Sequence, residues 1–331
     1  MSALKKICVV GATGLVGSSI VRSALEKGYL VNGTLRILNM PDRLQYLNKL
    51  TNSNHLEVFE SDMSSQNTFL KPLQGTDACF IASLIPTYFG KDGTPAKEMN
   101  DEKGYKEIIQ PTVDGCLNIL KAAKIQGLKH IVICSSTSST NPNIPVLIKN
   151  ENDHWSDENK QYSDKKYTSA AKTVMEKAAI KFCEENNMRL SIILPTGLYG
   201  DGILPEHMNH NPFVWLKRLI EGGQPRHDKT PNSSISMIHL RDLANLFLAA
   251  YETSTASGRY FGVYKSLHWQ DIYTECQKYI PNMIMPDPIV GKLVKPTQFN
   301  FERRDSLNVK IRDFTSTLES TINWIKSKPF D

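Results

Sequence analysis

Gly11-Ala12-Thr13-Gly14-Leu15-Val16-Gly17 stands directly after the apolar run Ile7-Cys8-Val9-Val10 and opens a helical pattern. This stretch decides the fold. The first glycine of such a turn permits a tight reversal, the second lets backbone approach a pyrophosphate, and the third lets helix pack on strand. An anion then sits on the helix N-terminus, where free N–H groups and the helix dipole stabilise it. The spacing is G-x-x-G-x-x-G rather than G-x-G-x-x-G, and a glycine triplet alone can be a plain strand-to-helix turn. Its position after the first strand of the chain gives it weight.

Outward from the turn, short β-branched runs alternate with longer helical patterns. Residues 14–27 predict a helix with Leu15, Val16, Ile20, Val21, Ala24 and Leu25 on one face, closed by Gly28. Strands are expected at 30–35, 56–59, 77–81, 130–134 and 190–194, and helices at 43–50, about 105–126 and 172–185. Crossovers of this length imply an α/β fold, a Rossmann-type doubly wound parallel sheet. Ligands then bind at the carboxyl ends of its strands. After Pro195 the pattern loosens; a strand at 234–240, a helix at 242–251 and a late helix near 316–325 remain. We expect a dinucleotide-binding domain over residues 1–200 plus about 234–262. A smaller mixed substrate-side domain would take about 201–233 and the C-terminal 263–331.

The composition excludes several classes. The chain has 331 residues, with 22% charged and 40% hydrophobic, a globular balance that is neither disordered nor fibrous. Its formal charge of +5 is spread without a basic block, so nucleic acid and anionic membranes are not indicated as partners. No apolar run approaches the roughly 18–20 residues of a membrane helix. Met1-Ser2-Ala3 leads into Lys5-Lys6 and a strand, with no secretory or mitochondrial leader pattern. The six cysteines are far apart and form no C-x-x-C. A reducing, cytoplasmic location and no metal are expected.

Arg36 ends the second strand, 19 residues past Gly17, and no Asp or Glu occurs between Lys27 and Pro41. An acidic residue there would accept the ribose 2′-OH of NAD, whereas an arginine suits the extra phosphate of NADP. Arg43 offers a second cation. Asp62, after the third strand, is placed to meet the adenine amine or to cap the segment from Ser64.

Together with Gly33-Thr34-Leu35-Arg36 and Asp62-Met63, the glycine turn resembles the extended short-chain dehydrogenase/reductase family of the NAD-dependent epimerase/dehydratase superfamily. Within it the chain is most similar to the dihydroflavonol reductase and cinnamoyl-CoA reductase group. Trp155-Ser156-Asp157, Lys172-Thr173-Val174-Met175-Glu176-Lys177-Ala178-Ala179 and Leu194-Pro195-Thr196-Gly197-Leu198-Tyr199-Gly200 continue the likeness in order. His239-Leu240-Arg241-Asp242 and Ser257-Gly258-Arg259-Tyr260 follow, so the likeness spans about residues 5 to 265. The resemblance implies an oxidoreductase using NADP(H) on a ketone, aldehyde or thioester carbonyl. It implies cofactor contacts from Gly11, Thr13, Gly14, Leu15, Val16 and Gly17, then Arg36, Asp62, Met63, Ala82 and Ser83. Lys172, Pro195 and Leu198 complete that set.

The family's chemistry needs a Ser that polarises the carbonyl, a Tyr that gives the proton, and a Lys one helical turn after the Tyr. Ser136 and Lys172 fit the first and third roles. Four residues before Lys172 stands Thr168, and an aliphatic hydroxyl is a far weaker acid than a phenol, whose pKa is about 10. Tyr167 is adjacent, but one helical step turns a side chain by about 100°. Tyr162 and Lys166 form a literal Tyr-x-x-x-Lys in a charged segment. All three registers stay open.

His207 and His210 lack carboxylate partners at a metal-ligand spacing and read as loop residues. Asp242 is expected to cap the helix that follows His239. Phe213, Trp215 and Leu216 line a pocket or a core. Residues 85–100 and 200–235 are expected to shape the substrate pocket and carry no motif. Two functions compete: an NADP-dependent carbonyl reductase, or a catalytically degenerate member that keeps the nucleotide site as a sensor or structural subunit. A sugar-nucleotide epimerase or dehydratase shares the fold but needs the missing tyrosine. A homodimer or larger assembly is compatible with either function.

Overall fold

A computed structural model describes residues 4–39, 41–84 and 88–330. Met1 to Ala3, and residues 85–87 of the expected pocket stretch, lie outside the described residues.

Seven parallel strands form the central sheet. They are β1 (Lys6–Val10), β2 (Leu30–Leu35), β3 (Leu56–Glu60), β4 (Ala78–Ile81) and β5 (His130–Cys134), followed by Arg189–Pro195 and Gly258–Gly262. Their order is β3–β2–β1–β4–β5, then Arg189–Pro195, then Gly258–Gly262. The chain therefore reverses direction across the sheet between β1 and β4, and the crevice at their carboxyl ends is the expected ligand position. β1 explains why helices cover both faces. Its alternate residues Ile7 and Val9 pack with Ile20, Val21, Leu246 and Phe247, while Cys8 and Val10 pack with Ile119, Leu120 and Met175. The sheet is thus the middle of three layers.

The smaller sheet is mixed. Ser234–His239 pairs in parallel with Leu198–Tyr199 and antiparallel with Lys265–His268. Gly197 makes the step from the large sheet to the small one. Its φ is +53°, and a Cβ there would stand 2.1 Å from the Ser236 carbonyl oxygen. Phe213, Trp215 and Leu216 are buried with Trp269, Tyr273 and Leu318, so they are core rather than pocket wall.

Several helix starts differ from the sequence reading, and two of them bear on the site. The helix expected at 172–185 begins earlier, at Tyr167, and runs to Glu185. The helix after Ser234–His239 spans Leu240–Glu252, and His239, not Asp242, is its N-cap, its Nδ1 accepting from Arg241 N at 3.1 Å. Asp242 lies in the first turn and pairs with Arg312 instead. An imidazole nitrogen caps as an oxygen would, a substitution that residue preferences for capping do not predict.

All six cysteines are buried and none is in a disulfide. Among the described residues no helix is long and apolar enough to cross a membrane, and no group of His, Cys, Asp and Glu could hold a metal ion.

Candidate active site

The glycine turn is built by exclusion of side chains. Gly11 has φ +81°, and its N–H and that of Ala12 donate to the Thr34 carbonyl at 3.1 and 2.9 Å. A Cβ at Gly17 would stand 2.0 Å from Gly11 O, and one at Gly11 would stand 2.5 Å from Ser83 Cβ. Gly14 is the N-cap of α1 (Leu15–Glu26), and no side chain caps that helix. The N–H groups of its first turn are therefore left for an outside acceptor, as an anion site requires. Ala82 and Ser83 leave β4 beside the turn, their N–H groups bonded to Val10 O at 3.2 and 3.3 Å. Leu15 points into the core, so only its backbone faces the crevice.

A histidine that spacing arguments left in a loop buttresses this turn. His207 is buried, and its Nε2 lies 2.9 Å from Thr13 O. Its Nδ1 accepts from Ile203 N at 3.0 Å and Leu204 N at 3.2 Å, which puts the proton on Nε2. Burial pulls the imidazole down to about 4, so it is neutral at neutral pH.

At the adenosine end Arg36 follows β2, exposed and without an ion pair among the described residues. Arg43 is engaged by Glu206 at 2.7 Å. Asp62 accepts from Ser64 N at 2.8 Å through Oδ1, a local turn rather than a helix cap, since the next helical segment begins at Gln66 with Ser65 as its N-cap. Met63 packs over Gly115.

Beyond the turn opens a cavity of about 400 Å³. Its wall holds Ser136, Thr168 and Lys172, with Val16 from the glycine turn, Pro195 from the end of the sixth parallel strand and Leu198 from the start of the smaller sheet. Lys172 Nζ donates to Cys134 O at 3.4 Å, while Ser136 Oγ accepts from Ser138 N at 3.1 Å. Ser138, Ser169 and Tyr88 also line this space and carried no sequence signal.

Neither candidate tyrosine faces the cavity. Tyr167 is fully buried between Met99, Ile108 and Ala170, and donates to Asp101 Oδ1 at 2.7 Å. A Cβ on Gly104 would stand 2.5 Å from its ring, so the pocket for that ring exists because residue 104 is glycine. Burial and then the Asp101 carboxylate push the Tyr167 phenol up to about 12. Tyr162 donates to Asp101 O at 2.8 Å, and Lys166 pairs with Asp164 at 3.1 Å. Tyr162 is half-buried on the helix Glu158–Ser163 and packs edge-on against Tyr167, while Lys166 is exposed, so this register does not meet the cavity.

Residues quoted for the resemblance without an assigned role converge behind Ser136. Arg259 Nε donates to Glu176 Oε2 at 2.8 Å, both fully buried. Arg259 also donates to the carbonyls of Glu151 and Ser139 at 2.7 and 3.2 Å and lies 3.6 Å over the Trp155 ring. The other Glu176 oxygen accepts from Ser135 Oγ. Glu176 sits one turn after Lys172, so one helix presents the ammonium to the cavity and holds the Ser135 side chain next to Ser136.

Comparison with known proteins identifies the family. Residues 7–263 match the model of the NAD dependent epimerase/dehydratase family. A cinnamoyl-CoA reductase of Medicago truncatula is 27% identical over 98% of this chain and 96% of its own length. An anthocyanidin reductase of Vitis vinifera is 30% identical over 77% of this chain and 75% of its own. The crystal structure of a yeast methylglyoxal/isovaleraldehyde reductase complexed with NADPH superposes with a TM-score of 0.80. It covers 98% of this chain and 99% of that one at 21% identity.

Proposed function

Because the chain belongs to the NAD-dependent epimerase/dehydratase family, we propose that it is an NADP(H)-dependent reductase of small carbonyl compounds, a ketone, aldehyde or thioester. The observation that carries this reading is the shared cavity, which has Ser136 and Lys172 on its wall beside Val16 of the glycine turn. The named reductase relatives, and the NADPH complex of a structural neighbour, support the same reaction and cofactor.

NADPH, when bound, supplies the hydride. The bare N–H groups at the start of α1 hold the pyrophosphate, and Arg36 meets the 2′-phosphate. Lys172 binds the nicotinamide-side ribose, and Ser136 donates its hydroxyl to the carbonyl oxygen. We assign the dinucleotide to residues 1–200 plus about 234–262, and the substrate side to about 201–233 and 263–331.

NADPH oxidation, followed at 340 nm with hydrophobic aldehydes, ketones and acyl thioesters, tests the proposal. Turnover that falls at least about tenfold in both Ser136→Ala and Lys172→Met supports it; no oxidation with any carbonyl overturns it. A second reading, a nucleotide-binding member without turnover, draws on Thr168 and on the two tyrosines turned toward Asp101. Calorimetric NADPH binding without oxidation would select that reading.

A further inference from the structure

The reductase reading leaves the proton unassigned, since Ser136 and Thr168 are aliphatic hydroxyls and poor acids. Tyr88 is the tyrosine that lines the cavity with Ser136, Thr168 and Lys172, among the described residues. Four other tyrosines turn their hydroxyls elsewhere: Tyr162 and Tyr167 toward Asp101, Tyr29 to Glu252 and Tyr273 to His227.

We propose that Tyr88 is the general acid of this site, and that the phenol absent at position 168 is supplied from the loop after β4. This rests on the reductase reading above. Tyr88 begins a short hairpin at the carboxyl end of the sheet, the edge where the crevice opens. Ala96 N donates to Tyr88 O at 2.7 Å, Phe89 bridges to Pro95, and Gly90 N donates to Thr94 O at 2.8 Å. Two bonds anchor the hairpin to the neighbouring helical segment: Lys91 N to the Glu107 carboxylate at 2.8 Å, and Lys103 Nζ to Asp92 at 2.5 Å. The backbone that carries the phenol is thereby held, while the side chain remains 68% exposed.

That combination suits a donor. The carbonyl carbon takes the hydride of the reduced dinucleotide as its oxygen takes the Tyr88 proton. The C=O π bond breaks, C–H and O–H bonds form, and the cofactor leaves oxidised. The phenolate recovers its proton from bulk water, which reaches an exposed ring directly.

The test uses the full chain with NADPH and whichever of hexanal or benzaldehyde the wild type reduces. Tyr88→Phe is expected to lower kcat by about 100-fold or more, the usual contribution of a general acid, with the KM for NADPH and the melting temperature unchanged. Thr168→Tyr in the Tyr88→Phe background is expected to recover activity, because it returns a phenol one turn before Lys172. An active wild type matched within about twofold by Tyr88→Phe overturns the assignment alone. A wild type that binds NADPH and reduces neither compound, nor any other carbonyl tried, removes the reductase reading and this assignment with it.

Discussion

The Tyr167 hydroxyl donates to the Asp101 carboxylate at 2.7 Å, while Lys172, on the same helix, points its ammonium at Cys134 O. Five residues separate them, about 140° around a helix, whereas Thr168 and Lys172 differ by about 40°. The helix geometry therefore puts residue 168, and not residue 167, on the cavity side with Lys172.

A Tyr167→Phe variant should keep kcat within about twofold of wild type, because the hydroxyl it removes faces Asp101. It should lose about 1 kcal/mol of stability with the buried hydrogen bond. Steady-state kinetics and urea denaturation read the two effects separately. A tenfold fall in kcat with unchanged stability would mean that the phenol reaches the substrate after all.

Arg259 and Glu176 should behave as one unit. Arg259→Met leaves the Glu176 carboxylate buried without its cation, at a cost of about 3–5 kcal/mol. The double variant Arg259→Met/Glu176→Gln should cost less than the sum of the singles, because the stranded charge is gone. Since Glu176 also holds Ser135, the single Glu176→Gln should lower kcat by loosening Ser136. Additive stability losses across the cycle would refute the coupling.

Arg36 should set the preference between the two dinucleotides. It is exposed at the end of β2, and Arg43 is already held by Glu206. Charge-assisted bonds to a phosphate are worth about 1.5–3 kcal/mol. Arg36→Ala should therefore weaken NADPH binding about 10- to 100-fold and leave NADH nearly unchanged. Calorimetric titration with both coenzymes decides it; equal losses for the two would sever the arginine from the 2′-phosphate.

The sequence made legible what depends on short-range pattern. The glycine turn and six of the seven strands of the large sheet could be read from β-branched runs, helical periodicity and punctuation by glycine and proline; the seventh, Gly258–Gly262, entered only as part of a motif. The match of Ser136 and Lys172 to a common site followed from motif order. Contacts between residues distant in sequence could not be read this way. His207 is 194 residues from Thr13, and nothing near His207 marks it as a buttress. Arg259 and Glu176 were visible as motif members, but their pairing arises only when the last strand of the large sheet docks beside Arg189–Pro195. The orientation of Tyr167 depended on Gly104, a glycine whose value lies in the ring it admits. Asp242 is not the cap the sequence suggested, because the imidazole of His239, three residues earlier, accepts from Arg241 N at the helix start.

His207 should make the protein acid-sensitive. Its imidazole lies at about 4 in the folded chain against 6.5 when exposed. Between these values the unfolded chain binds more protons than the folded one. Stability therefore rises with pH across that window and is lost as pH falls from about 6.5 toward 4. Above the window both states are neutral and the residue adds no pH dependence. The gap is worth about 3 kcal/mol at most, and His239, also drawn down to about 4 by burial and by Arg312, adds to it. Urea midpoints at pH 7.5 and pH 5 should differ more for wild type than for His207→Gln, which cannot charge. Because His207 donates to Thr13 O, NADPH affinity should weaken in that variant at pH 7.5 as well. Identical pH profiles for the two proteins would show that protonation of this imidazole does not oppose folding.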